Sequence, residues 1–463
     1  MIEQRCIEFI PHHERYGSPR RLFSIWFSAN LQVTTLVVGT LGIVAGLNLF
    51  WTFVALAIGN VVGTVFMAAH SAQGPHLGIP QMIQSRAQFG VLGAALPLLA
   101  VVTTYVLFTA ANGVVMRDAI KSVVPVSDDG ALIAFGITSL VVAFIGYELI
   151  HRLGAVLTLA SGALFLVAAI RVLGLTMPAN AWSASGTFRM APFLLVISQS
   201  ASYAIGYGPY VADYSRYLPH DIRTQRTFLF TYAGGLAGSL LIMLLGALLA
   251  AVMTGGAQLI ALNPAESIAR LFGGGRAVVY TIVILGVLLI NVLNVYSAFM
   301  SLVVVFSGWR RMMRVRLTEK FLIMFVVVVL ATAIAIATQY QFFEYFSDIL
   351  IGQIYVLVPW SSINLTDYYL VRKGKYSVVD IFNEHGIYGR INWMTVGVYV
   401  FSLLLQVPFM SLSFYKGPIA RLVGTDLSWI PGLLVPGALY YFFMRRDRQP
   451  PNTSVTECCE PIA

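Results

Sequence analysis

Phe108 and Asn112 stand four residues apart in an apolar stretch, which puts both on one face of a helix. Asn291 and Asn294 interrupt a second apolar stretch. An aromatic ring can stack on a flat heterocycle, worth about 1–3 kcal/mol per base in nucleic-acid readers. A carboxamide offers a donor and an acceptor side by side, matching the edge of a nucleobase. The same asparagines are equally suited to joining neighbouring helices by hydrogen bonds. Two carboxylates lie near the ends of apolar runs. Asp213 precedes Arg216 by three residues and Glu148 precedes Arg152 by four, spacings that fit helix-end ion pairs.

Motifs for other chemistries are missing. There is no phosphate-cradling G-x-x-x-x-G-K-[ST], and Gly273-Gly274-Gly275-Arg276 has the wrong spacing for one. No metal-ligand spacing of the H-E-x-x-H or C-x-x-C type occurs, and no nucleophile–base pair stands out, so the expectation is no metal, no cofactor and no enzyme. Cys6, Cys458 and Cys459 read as reduced thiols in the tails.

The elements that must carry these residues follow from composition. Of 463 residues, 58% are hydrophobic and 11% charged, against roughly 25% charged in a soluble domain. A membrane-crossing helix needs about 20 apolar residues. Twelve apolar runs fall near 22–48, 50–71, 91–116, 130–150, 154–175, 191–213, 227–254, 276–307, 321–338, 345–370, 394–413 and 429–444. The expected class is an all-α membrane protein with its surface in the lipid bilayer. No oligomer is required. With the N-terminus cytoplasmic and the loops alternating, 21 of the 29 Lys and Arg lie inside. The net charge of +9 therefore reads as topology rather than as a nucleic-acid surface. That predicts a plasma (inner) membrane protein with a cytoplasmic tail (1–21), one transmembrane domain (22–444) and a second cytoplasmic tail (445–463).

Within the sixth span, Gly206-Tyr207-Gly208-Pro209 signals a break, or else a simple proline kink. Five spans earlier, Ser28-Ala29-Asn30-Leu31-Gln32-Val33-Thr34-Thr35 gathers polar side chains without Gly or Pro. Paired broken helices are a mark of transporters built from inverted repeats, with substrate held at mid-membrane. The repeats would be 22–175 and 191–370, with two extra helices over 394–444. The pairs Gly42/Gly46, Gly59/Gly63 and Gly234/Gly238 read as close helix contacts. Trp360, Tyr368 and Tyr369 read as core or interfacial residues.

Several blocks resemble the nucleobase:cation symporter-1 family. They are Trp26-Phe27-Ser28-Ala29-Asn30, Gly78-Ile79-Pro80-Gln81-Met82-Ile83 with Ser85-Arg86-Ala87-Gln88-Phe89-Gly90, Ala212-Asp213-Tyr214, and Asp367-Tyr368-Tyr369-Leu370-Val371-Arg372-Lys373-Gly374. The chain is more similar to the purine–cytosine permease branch than to the hydantoin branch. The resemblance implies a twelve-helix, 5+5 inverted-repeat (LeuT-like) fold and alternating access. It assigns the substrate-stacking ring to Phe108, its partner amide to Asn112, and a substrate-contacting amide to Asn294 with Asn291 close by. It assigns the ring at the sixth-span break to Tyr207, with Tyr203 as second choice. Ser28, Asn30 and Thr34 would contribute from the first span. The implied activity is import of a nucleobase, cytosine or a purine, by cation symport. Similar proteins carry hydroxymethylpyrimidine or thiamine, allantoin, hydantoins and uracil, and a passive nucleobase channel is the other alternative.

The coupling ion is where the chain departs from part of that family. Sodium-coupled members place Ser or Thr hydroxyls a turn or so before the substrate-binding Asn. Here Ile282 to Ile290 contains no hydroxyl, the nearest being Thr281 and Ser297. Proton coupling is therefore expected, with Asp213 and Glu148 as candidate carriers and Thr34 or Thr35 as fallback ion ligands.

Overall fold

The computed structural model describes residues 8–145, 147–253, 263–310 and 315–446. The three cysteines lie outside these ranges, and Glu148 and Arg152 lie outside the described side chains. Among the described residues the fold is all helical apart from one isolated bridge, Ser411 to Lys416.

The helices over the apolar runs are α1a (Arg20–Ala29), α1b (Val33–Val44), α2 (Leu49–Ser71), α3 (Ala95–Lys121), α4 (Asp128–Ile145), α5 (Tyr147–Leu173), α6a (Met190–Ile205), α6b (Gly208–Ser215), α7 (Thr224–Val252), α8 (Arg276–Arg310), α9 (Leu317–Thr338), α10 (Phe342–Thr366), α11 (Trp393–Gln406) and α12 (Trp429–Met444). Exposed Leu159, Leu166, Ile170, Leu322, Val326 and Leu330 coat the outer faces of α5 and α9. Unpaired apolar faces of this extent are stable against lipid. This is a multi-pass membrane protein.

The first span breaks sharply, α1a and α1b diverging by 64°. It does so without Gly or Pro because its own amides satisfy the freed backbone. Asn30 Nδ2 donates to Trp26 O at 2.8 Å, and Gln32 Nε2 donates to Ala29 O at 3.2 Å. Gln32 itself turns extended (φ −144°, ψ 158°) before α1b begins. The Gly-Pro signal in the sixth span separates α6a from α6b by two residues. Gly206 and Tyr207 keep right-handed helical angles (φ −55°, ψ −24°; φ −77°, ψ −17°), and Pro209 sits in the first turn of α6b, where its missing N–H costs nothing.

Helix α6a packs along α2, α1a and α1b pack along α7, and α8 packs along α3. Glycines set the first two approaches. A Cβ on Gly59 or Gly63 would overlap the carbonyls of Ile197 and Ala201 on α6a, and one on Gly234 would overlap the Phe23 carbonyl on α1a. Gly42 likewise abuts Thr52. Gly46 is a correction to its pairing with Gly42. It lies beyond the end of α1b at φ +88°, a left-handed position that suits glycine, with only Arg189 nearby.

Candidate functional site

Four helices meet around Asn112. Its Oδ1 accepts the Thr34 hydroxyl of α1b at 2.8 Å, and its Nδ2 donates to Asn291 Oδ1 of α8 at 3.4 Å. Asn291 Nδ2 donates in turn to Ser139 Oγ of α4 at 2.9 Å. Both polar ends of Asn112 are thus already engaged between helices. Asn294, one turn along α8 from Asn291, is also buried but has no hydrogen-bond partner among the described residues. Phe108 is half-buried one turn from Asn112 and packs at the edge of the core.

The α1 break meets α6a through hydroxyls. Tyr203 Oη lies 2.6 Å from Thr35 Oγ1 and 3.1 Å from Tyr207 Oη, and accepts from Gln32 Nε2 at 3.1 Å. Tyr207 Oη reaches Asn30 Oδ1 at 3.5 Å. The Tyr207 ring is held edge-on by Trp26, Tyr203 and Tyr210, with centroids 5.6–5.8 Å away. Phe108 enters no ring pair among the described residues, so it and Tyr207 are not stacked on one another; both pack into the same core cluster. Ser28 is not drawn into this group, because its hydroxyl bonds back to Ile25 O at 3.0 Å within its own helix. Thr35, expected only as a fallback ion ligand, instead bonds Tyr203, and Gln32, not singled out from the sequence, is the more informative amide. Its Oε1 is buried with no acceptor role filled. An amide placed directly at a helix break was the signal in the sequence.

Asp213 accepts the Gln81 backbone N–H at 2.7 Å, tying α6b to the α2–α3 connection. Around that connection runs a second buried polar chain. The His70 ring stacks on Trp360 (4.6 Å, 11°), and Trp360 Nε1 donates to Ser85 Oγ at 2.9 Å. Trp360 is therefore a core residue, as is Tyr368, while Tyr369 is partly exposed and donates to Ala69 O. Gln88 Nε2 donates to Asp367 Oδ2 at 2.7 Å, and Tyr376 and Tyr440 donate to the same carboxylate at 2.7 and 2.9 Å. Arg372 Nε lies 3.2 Å from Asp367 Oδ1. In the same connection Arg86 is pulled down to about 10 by burial, and donates to Val304 O and Ser307 Oγ. It stays charged at neutral pH.

At the opposite end of α3 a cleft of about 260 Å³ opens between Val114 and Arg117 and the α9–α10 turn at Gln339 to Phe342. It begins two residues beyond Asn112. Among the described residues no group of three metal-ligating side chains is assembled.

A family profile described as "Permease for cytosine/purines, uracil, thiamine, allantoin" matches residues 9–432. The chain belongs to this permease family. YxlA of Bacillus subtilis (strain 168), which its name assigns to the purine-cytosine permeases, is 41% identical over 96% of each chain. The purine-cytosine permease fcyB of Emericella nidulans is 26% identical over 91% of this chain and 84% of its own. Mhp1, a nucleobase-cation-symport-1 family transporter solved closed with bromovinylhydantoin bound, superposes with a TM-score of 0.74 at 19% identity, over 96% of this chain and 95% of its own. That likeness shows the fold, which is LeuT-like. As a member of this family the protein is a nucleobase-type membrane permease and not an enzyme.

Proposed function

We propose that this permease is a secondary active importer of cytosine or a purine, driven by proton symport, with twelve crossings and both termini cytoplasmic in the plasma membrane. One observation carries the site. The Gln32 Oε1 at the α1 break is buried without a partner, and Asn294 of α8 makes no hydrogen bond among the described residues; α1b and α8 both pack against α3, which carries Phe108 and Asn112. Unpaired buried amides are costly in a finished core and suit a polar heterocycle edge. Phe108 stacks the ring, Asn294 and Gln32 read its edge, and Asn112 holds the helices around it and joins the reading when Thr34 or Asn291 lets go. Tyr207 and Tyr203 close the site from α6. The cleft at Arg117 is the outer approach.

The pairing of α1 with α7 and of α6 with α2 is what two inverted five-helix repeats predict, and it supports alternating access. Proton coupling is supported by the α8 stretch before Asn291. Thr281 is exposed there and bonds back to Ala277 O, leaving a hard cation short of oxygen ligands. Asp213 and Glu148 are the proposed proton carriers. The testing experiment is uptake of labelled cytosine into proteoliposomes, competed by purines, uracil, allantoin, hydantoins and thiamine. Competition by ureides alone would overturn the substrate assignment, and downhill flux alone would overturn active transport.

A further inference from the structure

The segment preceding α1a is threaded between two connections from different halves of the chain. Ile10 N donates to Gly78 O at 2.9 Å in the α2–α3 connection, and Tyr16 N donates to Tyr217 O at 2.8 Å in the α6–α7 connection. Between them Arg15 is buried, donating from Nε to Ile10 O at 2.8 Å and from Nη1 to Pro75 O at 2.5 Å. Its guanidinium lies over the Phe9 ring, 5.1 Å from the centroid, and burial lowers its pKa to about 10. Gly78 has φ +64°, and a Cβ there would overlap both Arg15 Nη2 and the Phe9 ring. Glycine at this position admits the arginine. Any motion that parts the ends of α2 and α6b must first strip this segment from one of its two docks.

Three imidazoles meet at that seam, one from each piece. His12 and His220 have ring centroids 4.9 Å apart, and His76 and His220 5.7 Å apart. His76 Nε2 lies 2.8 Å from the Thr224 hydroxyl at the start of α7. Arg15 is the cation that acts on all three, and Asp221 is the anion that acts on His220. His13 and Glu14 pair beside them on the segment, and Arg216 reaches Glu8 O from the α6–α7 connection.

We propose that residues 9–16 form a latch across the two connections, and that the cluster of His12, His76 and His220 makes its release respond to pH on that face. Protonation would place imidazolium charges against each other and against Arg15. The pKa values of His12 and His220 lie below 6.5, first through burial and then through Arg15. Groups depressed in the docked state favour docking above their undocked pKa, about 6.5, and the docking weakens as pH falls below it. Each unit of depression shifts the latch equilibrium about tenfold.

The test places spin labels at positions 13 and 385, both exposed, in a background lacking Cys6, Cys458 and Cys459, and measures the label–label distance in detergent. Bulk pH then reaches this face whatever the orientation and whatever the substrate, so the outcome is independent of the proposed transport. A single distance at about pH 7.5 should give way to a longer, broader population at about pH 5.5, where histidines are charged. The combined His12→Gln, His76→Gln and His220→Gln variant should keep the pH 7.5 distribution at both values. If that variant is not monodisperse, His220→Gln alone must reduce the change. Gly78→Val should give the long distances at both pH values. Identical distributions at the two pH values, or an undiminished change without the histidines, would overturn the latch.

Discussion

Asn112 and Asn294 are chemically identical side chains, and the structure separates what their removal should do. Asn112→Ala deletes the acceptor for Thr34 and the donor to Asn291, both buried. A buried polar group left without its partner costs about 1–3 kcal/mol, and two are affected, so the folded protein itself should lose roughly 2–6 kcal/mol at the upper bound. Asn294→Ala breaks no hydrogen bond among the described residues, so its cost should fall on the bound state alone. Loss of one buried ligand contact of about 1–3 kcal/mol weakens apparent affinity roughly 5- to 150-fold. The assay pairs substrate-free thermal melting of purified protein with the concentration dependence of cytosine uptake. Asn112→Ala should lower the melting temperature and the uptake together, whereas Asn294→Ala should melt like the parent and take up cytosine only at raised concentration. Normal KM in Asn294→Ala would refute the reasoning, because an amide with no protein partner would then be reading nothing.

Phe108→Tyr should retain uptake, since a flat π-face remains, while Phe108→Ala should lose it; unchanged KM in the alanine variant would remove Phe108 from the site. Uptake into proteoliposomes should follow an imposed pH gradient and be indifferent to replacing sodium with potassium or choline. A strict sodium requirement at fixed pH would refute proton coupling. Asp367→Ala removes the carboxylate that Gln88, Tyr376, Tyr440 and Arg372 share in a fully buried setting. It should cost about 3–5 kcal/mol, read as loss of a monodisperse peak on size exclusion, and a parent-like melting curve would contradict the role given to that network.

The all-helical membrane class was legible from composition, because lipid requires apolar runs of a fixed length and leaves few ways to hide charge. The one-face relation of Phe108 to Asn112, and the close-contact roles of Gly59, Gly63, Gly234 and Gly238, were also legible. Each depends on helical spacing, which is a local property. The family blocks marked where function concentrates but not what those blocks touch. Only the tertiary structure brings Gln88 to Asp367 across 279 residues, Thr34 to Asn112 across 78, and Ile10 to the Gly78 turn. The glycine–proline signal in α6 leaves right-handed helical angles at Gly206 and Tyr207, while the stretch with neither residue yields a 64° break, because Asn30 and Gln32 can cap the freed carbonyls with their own amides. Whether an amide closes a helix, joins two helices or waits for a ligand depends on which groups arrive opposite it, and those come from distant parts of the chain.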